Sequence, residues 1–387
     1  MKEYLGDKIL IDDREPEAYT GVGGEKLSKG VEKLPAVEVK NKVVWVNENM
    51  KLPFDIEKGE SNRLGMFLTP EPLSDVSDPY QLEMRTGHRR SGILGRVIFE
   101  DKEGRLYRDV DLKGVGFTGR IWLYENENKI VVQEPEIDTM DSNYPGGSKT
   151  LGVLDRPYAE NDIKMAEKFL KAGIRTYRPI ALIRLQEIID KNGDKISMGM
   201  AKSRGLVKRK DEPVVEVRAF GTRARTEDLQ YADRDILIKD ARSLVAQEIG
   251  KNPDDFSSKD YLGWFIETMA VSLAKMHSKN WIHGYLTPHN ITLDGRIIDL
   301  DSVETAREVG KRKKAGENSH KSFENDVNSV VAVMSYLKKK LGFKLVEPYE
   351  GYDLDFDEFD RIIEEMFSKI YNREVEKLKK ARDDSGT

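Results

Sequence analysis

The chain has 387 residues, 38% of them hydrophobic, enough apolar material for one large two-lobed domain or two ordinary ones without covalent staples. Lys and Arg total 64 against 69 Asp and Glu, so a chain that is 34% charged carries a formal charge of only -5, too little positive charge for a purely electrostatic nucleic-acid binder. The lack of cysteine excludes a disulfide scaffold, a Cys-ligated zinc, an iron–sulfur cluster and thiol nucleophilic catalysis.

No signal-peptide-like apolar region lies in Met1 to Pro16, and the longest apolar run, Val330 to Met334, is far short of the ~18 residues of a membrane span. The expectation is a soluble, cytoplasmic protein with no membrane partner. Residues 1–80 alternate short apolar pieces (Val43-Val44-Trp45-Val46) with clusters such as Gly21-Val22-Gly23-Gly24 and Thr69-Pro70-Glu71-Pro72, and read as an irregular N-terminal extension with a few strands.

Residues 81–221 read as a β-rich lobe. Strand patterns cover Ile93 to Phe99, Leu106 to Leu112 and Ile121 to Tyr124, with a turn at Asp101-Lys102-Glu103-Gly104. A helix over Tyr158 to Ala172 follows, with Ile163, Ala166 and Leu170 on one stripe and Gly173 at its C-terminal end. Strands then recur at Pro179 to Leu185 and Pro213 to Phe220, separated by a loop containing Asn192-Gly193 and the basic stretch Lys202 to Lys210. Residues 222–387 read as a mainly helical lobe. The clearest helix is Asp260 to Ser278, with Leu262, Phe265, Ile266, Met269, Leu273 and Met276 on one stripe, and two more cover Asn325 to Leu341 and Phe359 to Lys380. Strands with one central helix, then helices, predict an α+β, two-lobed, protein-kinase-like fold.

Several features stand in the order that a nucleotide-phosphate site needs. The turn Thr86-Gly87-His88-Arg89-Arg90-Ser91-Gly92 combines glycines, which let backbone approach phosphates, with arginines that offer forked donors. Lys113 ends a strand and can present its ammonium to phosphates if a carboxylate on the following helix positions it; Asp162 is the first choice, Glu160 and Glu167 the alternatives. Gly114-x-Gly116-x-x-Gly119 matches a dinucleotide glycine pattern, but Ile121-Trp122-Leu123-Tyr124 continues as strand where that motif requires a helix. Arg218 and Arg225, seven residues apart, could clamp a polyphosphate. Finally, His283-Gly284-Tyr285-Leu286-Thr287-Pro288-His289-Asn290 leads to Asp299 nine residues on, an oxygen pair suited to Mg²⁺. This is a kinase catalytic loop and metal loop with His-Arg-Asp altered to His-Gly-Tyr and Asp-Phe-Gly to Asp-Leu-Asp. Asp326, near the start of its helix, matches the kinase aspartate that buttresses the catalytic loop. Tyr285 stands where a kinase has its proton-accepting carboxylate, which argues against ordinary phosphoryl transfer.

Over about Arg85 to Asp301 this order resembles the selenoprotein O family of protein adenylyltransferases, kinase-like enzymes that transfer AMP. The resemblance is carried by the turn with Arg90, by Leu112-Lys113-Gly114-Val115-Gly116, by Gly173-Ile174-Arg175-Thr176, by the spacing of Arg218 and Arg225, and by His283-Gly284 with Asn290 and Asp299. It implies that ATP binds in the reverse of the kinase orientation. Lys113, Asp162, Arg218 and Arg225 would then hold its phosphates, Gly87 and Arg90 would cover them, and Asn290 and Asp299 would hold Mg²⁺. A protein hydroxyl would be the acceptor.

The sequence departs from that family in four places. His289 replaces the aspartate proposed as proton acceptor, a role that a neutral imidazole can fill. Asp162 replaces a longer glutamate, Leu300-Asp301 replaces Tyr-Gly, and the family's Gly-Asp-Gly-Arg segment has no match near Tyr144-Pro145-Gly146-Gly147. Two alternatives remain open: an atypical kinase with His289 or Asp301 as base, and a non-catalytic ATP-binding scaffold. Nucleic-acid contact through Lys208-Arg209-Lys210 or Lys311-Arg312-Lys313-Lys314 is not expected, since no aromatics are interleaved to stack bases.

Overall fold

A computed structural model describes residues 2–4, 7–10, 31–48, 55–69, 80–85, 91–101, 104–116, 122–126, 129–133, 153–190, 193–230, 234–316, 320–342 and 356–384. The turn carrying Gly87 and Arg90, the Gly21 to Gly24 cluster, Gly119 and the Tyr144 to Gly147 segment lie outside the described residues. The chain forms two compact units, residues 1–17, 21–163 and 178–221 in the first and 18–20, 164–177 and 222–387 in the second.

The first unit is built on an eleven-stranded sheet. Its strands are β1 (Lys2–Tyr4), β2 (Asp7–Leu10), β3 (Val31–Glu38), β4 (Asn41–Val46), β5 (Met66–Leu68), β6 (Tyr80–Arg85), β7 (Ser91–Glu100) and β8 (Leu106–Lys113). After the separate hairpin β9 (Trp122–Asn126) and β10 (Lys129–Gln133) come β11 (Leu154–Asp155), helix α1 (Arg156–Lys171), β12 (Arg178–Leu185), the hairpin β13 (Glu187–Ile189) and β14 (Lys195–Ser197), helix α2 (Met198–Ser203) and β15 (Pro213–Phe220). The main path runs β4-β12-β15-β8-β7-β6-β3-β5, with antiparallel neighbours throughout. Strands β3, β4 and β5 from the first 80 residues extend this sheet at its two ends.

Apolar side chains pack on both faces of the sheet. Val110 and Leu112 of β8, Ile183 of β12 and Val215, Val217 and Ala219 of β15 join one large apolar core. On the other face, Ala159 and Ile163 of α1 pack with Leu154, Leu182 and Val214. A period-2 strand buried on both sides reads as nearly continuous apolar sequence, which is why Pro213 to Phe220 was legible as a strand. α1 ends as expected: Gly173 adopts φ +68 and Ile174 N–H reaches back to Phe169 O at 2.8 Å, the six-to-one bond of a glycine-terminated helix.

The second unit is mainly helical: α3 (Arg234–Glu248), α4 (Ser258–Ser278), α5 (Ala306–Lys314), α6 (Phe323–Lys340) and α7 (Phe356–Asp384), with one short strand pair, β16 (Trp281–Ile282) and β17 (Glu304–Thr305). The whole stripe expected on α4 is buried. The helix starts before Asp260, because Ser257 accepts from Asp260 N–H and the Asp260 carboxylate accepts from Ser257 N–H, a capping box that satisfies both ends of the first turn. α3 was not singled out from sequence, since its apolar positions are diluted by Asp, Lys, Arg and Ser. No helix among the described residues is long and apolar enough to cross a membrane.

Candidate functional site

In the first unit, β8 and β15 pair so that Lys113 lies opposite Glu216 and Asp111 opposite Arg218. Residues directly opposite share a face, so the four form a charged patch in which Leu112 and Val217 point the other way. Lys113, 6% exposed, donates from Nζ to Asp162 Oδ2 of α1 at 2.8 Å. Glu160, one alternative partner, instead accepts from Arg156 Nε at 2.7 Å. Arg218 makes a two-pronged bond to Asp111, Nε to Oδ1 and Nη2 to Oδ2, both 2.8 Å, and Nη2 also reaches Ser91 Oγ at 3.3 Å. Two cations have thus found two carboxylates.

With Asp162 the patch has five members, and Glu216 stands outside both ion pairs. It is fully buried and neither carboxylate oxygen has a hydrogen-bond partner. Burial pushes its carboxyl up to about 8; the Asp162 charge adds to this, while Arg218 and Lys113 oppose it. Glu216 was not singled out from sequence. Its signal was present all the same: Asp111-Leu112-Lys113 and Glu216-Val217-Arg218 each place charges two apart, the second in a strand that is otherwise apolar.

The glycines after Lys113 have local reasons. Gly114 has φ +99 and an added Cβ would lie 2.4 Å from Val214 O; at Gly116, φ +89, it would lie 2.5 Å from the Phe67 ring. The dinucleotide-like spacing therefore needs no phosphate to explain these two positions.

In the second unit, the segment between β16 and β17 holds the two loops whose sequence resembles kinase catalytic and metal loops. Asp326, in the first turn of α6 and fully buried, accepts from His283 N–H at 2.8 Å and Gly284 N–H at 2.7 Å, clamping the loop backbone. His283 donates from Nε2 to Ile298 O at 2.9 Å, and burial lowers its pKa, so it stays neutral and ties the two loops together. Tyr285 is 43% exposed, with Lys321 Nζ 5.3 Å over its ring and His320 at its edge.

Asn290 and Asp299 sit on the two arms of a small hairpin in which Ile298 N–H bonds Asn290 O and Ile291 bridges Ile297. Asn290 Nδ2 donates to Tyr285 O at 2.9 Å, which fixes the amide, while the buried Oδ1 has no hydrogen-bond partner. Asp299 adopts φ +65, a left-handed backbone rare for a residue other than glycine, asparagine or aspartate. A fixed, unpaired amide oxygen beside a carboxylate-bearing arm fits a hard cation such as Mg²⁺, which takes one or two protein oxygens and completes its shell with water and phosphate. No cluster of three or more His, Cys, Asp or Glu among the described residues would hold a metal unaided.

His289 is engaged at both ring nitrogens. Nδ1 lies 2.7 Å from Glu227 Oε2 and Nε2 lies 2.5 Å from Arg225 Nη1. A guanidinium only donates, so Nε2 accepts and Nδ1–H donates to Glu227. The imidazole is neutral, as expected of a proton acceptor, but its accepting nitrogen is turned to Arg225. Of the two arginines expected to clamp a polyphosphate, Arg218 belongs to the first unit and bonds Asp111, and Arg225 belongs to the second and bonds His289. Glu227 was not anticipated, since Thr226-Glu227-Asp228 looks in sequence like an ordinary helix start.

No family model and no curated protein sequence matches the chain. Among solved structures, it is similar to a Toxoplasma gondii specific rhoptry antigen kinase domain, at 9% identity over 76% of this chain and 79% of that one, with a TM-score of 0.32. It is also similar to ROP2 from Toxoplasma gondii, described as a virulence factor with a protein-kinase fold and no enzymatic activity, at 10% identity over 80% of this chain and 83% of that one, with a TM-score of 0.31. The kinase-like character of the fold is visible in the chain itself: a lysine on the third strand of the meander β6-β7-β8, paired with a carboxylate on the next helix, and an aspartate clamping the His283 loop.

Proposed function

We propose that the protein binds ATP with Mg²⁺ and transfers AMP to a hydroxyl of a protein substrate. The observation that carries the nucleotide part is the buried Lys113–Asp162 bond, which holds an ammonium in place on a kinase-like sheet. In this proposal Lys113 meets phosphate oxygens in the first unit. In the second, Asn290 and Asp299 hold the Mg²⁺, whose charge offsets that of the phosphates, and Arg225 offers a further donor. The acceptor oxygen attacks the α-phosphorus, the bond to pyrophosphate breaks, and the hydroxyl proton passes to a base, His289 in this assignment.

A second proposal, ATP binding without transfer, is favoured by one specific observation: the accepting nitrogen of His289 is occupied by Arg225, and Tyr285 offers no carboxylate in its place. Incubation of the full chain and cell extract with α-labelled and γ-labelled ATP separates the two. Protein label from the α position alone supports AMP transfer; label from the γ position alone overturns it in favour of a kinase. Binding of ATP with no label from either position leaves the scaffold function.

A further inference from the structure

Glu216 has no part in the ion pairs around it, yet it lies at their centre. Lys113 faces it across the strand pair, Asp162 comes from α1, Arg218 is two residues along β15 and Asp111 is on β8; from β12 the residue opposite is the apolar Leu182. With Lys113 on Asp162 and Arg218 on Asp111, this group of five is neutral only if Glu216 keeps its proton. An ionised Glu216 would be a third carboxylate for two cations in a site closed to water, and the cation directly opposite it across the strand pair is Lys113.

We propose that Glu216 is a proton-controlled positioning residue for Lys113. Protonated, it leaves the ammonium to Asp162 and to an incoming phosphate group; ionised, it draws the ammonium to itself and adds a negative charge that disfavours phosphate. The proposal rests on the nucleotide-binding function above for its ligand and on the orphaned carboxyl for its mechanism. The raised pKa of Glu216 agrees with it and sets the transition just above neutrality.

The experiment uses the full chain and inorganic triphosphate as probe. Its dissociation constant is measured by calorimetry across a pH range spanning neutrality for the wild type, Glu216→Gln and Glu216→Leu, alongside the Nζ resonance of Lys113 in ¹⁵N-lysine-labelled protein without ligand. Above the transition the wild type is expected to lose affinity by up to about tenfold per pH unit relative to Glu216→Gln, the limit for one coupled proton. Glu216→Gln also cancels the probe's own titration from the comparison. The Lys113 resonance is expected to inflect over the same range in the wild type and not in either variant. Equal pH dependence in wild type and Gln variant, or an inflection that survives the substitution, overturns the proposal. If triphosphate does not bind at all, the nucleotide function falls, and the Lys113 resonance still decides whether Glu216 controls the ammonium.

Discussion

Lys113 and Asp162 are each more than nine-tenths buried, so removing one takes the 2.8 Å counter-ion from a buried charge. Breaking such a pair typically costs about 3 to 5 kcal/mol, whereas replacing both partners by apolar groups of similar size is often neutral. Asp162→Asn is therefore expected to destabilise the protein in urea titrations, and Lys113→Met with Asp162→Leu to recover most of the loss. If Glu216 ionises to take the ammonium, Asp162→Asn will cost less in the wild type than in the Glu216→Gln background, and a double-mutant cycle measures the difference. Glu216 also sets a pH dependence of its own. Its pKa is raised, so between the ordinary value of 4.5 and about 8 the folded chain holds a proton that the unfolded chain releases. Its contribution is fully present below 4.5, declines as pH rises through that window and is gone above about 8. Glu216→Gln should flatten that decline and leave the protein more stable at the alkaline end, as read from melting temperature against pH.

At the scale of elements, α6 and α7 meet the loop after β16 through one chain of polar contacts. Tyr371 of α7 bonds His277 Nδ1 of α4 at 2.7 Å, His277 Nε2 lies 3.5 Å from Asp326 Oδ2, and Asp326 holds the His283 and Gly284 amides. Asp326→Ala removes two charge-assisted bonds, roughly 3 kcal/mol in all, and should speed hydrogen exchange at His283 and Gly284 before the rest of the unit. Tyr371→Phe keeps the ring, which stacks on Phe367, and removes only the hydroxyl. Faster exchange at the same two amides in that variant would show that α7 steadies the loop; unchanged exchange would confine its role to packing. Much at this scale was legible in the sequence. The stripes of α1 and α4 declared their buried faces by period, and Asp326 stood out because Asp326-Val327-Asn328-Ser329 is similar to the pattern that opens the corresponding kinase helix. The charged face of β8 and β15 was not, because which charges meet depends on strand register, and a one-residue slip would send Lys113 and Glu216 to opposite faces. Nor was the pairing of His289, whose partners Arg225 and Glu227 lie more than sixty residues away in the chain.

For the whole molecule, the residues proposed to meet a nucleotide divide by chemistry between the units. Lys113 of the first offers charge to phosphate; Asn290 and Asp299 of the second offer oxygens to a cation. If ATP engages both sets, ligand binding to the folded chain should raise its melting temperature in proportion to occupancy, and a concentration a hundredfold above the dissociation constant stabilises by about 2.7 kcal/mol. The two contributions are separable. In Asp299→Ala and Asn290→Ala, ATP alone should still raise the melting temperature, and added Mg²⁺ should add nothing, since the unpaired Asn290 oxygen and its carboxylate partner act only through the cation. In Lys113→Met the shift should fall with and without Mg²⁺, because the lysine acts on the phosphates directly. The pattern distinguishes binding that draws on both sets of residues from binding that draws on one. A Mg²⁺-dependent shift that survives Asp299→Ala would place the cation elsewhere, while a shift indifferent to Lys113→Met would remove the buried ion pair from nucleotide binding and leave it a structural device of the first unit.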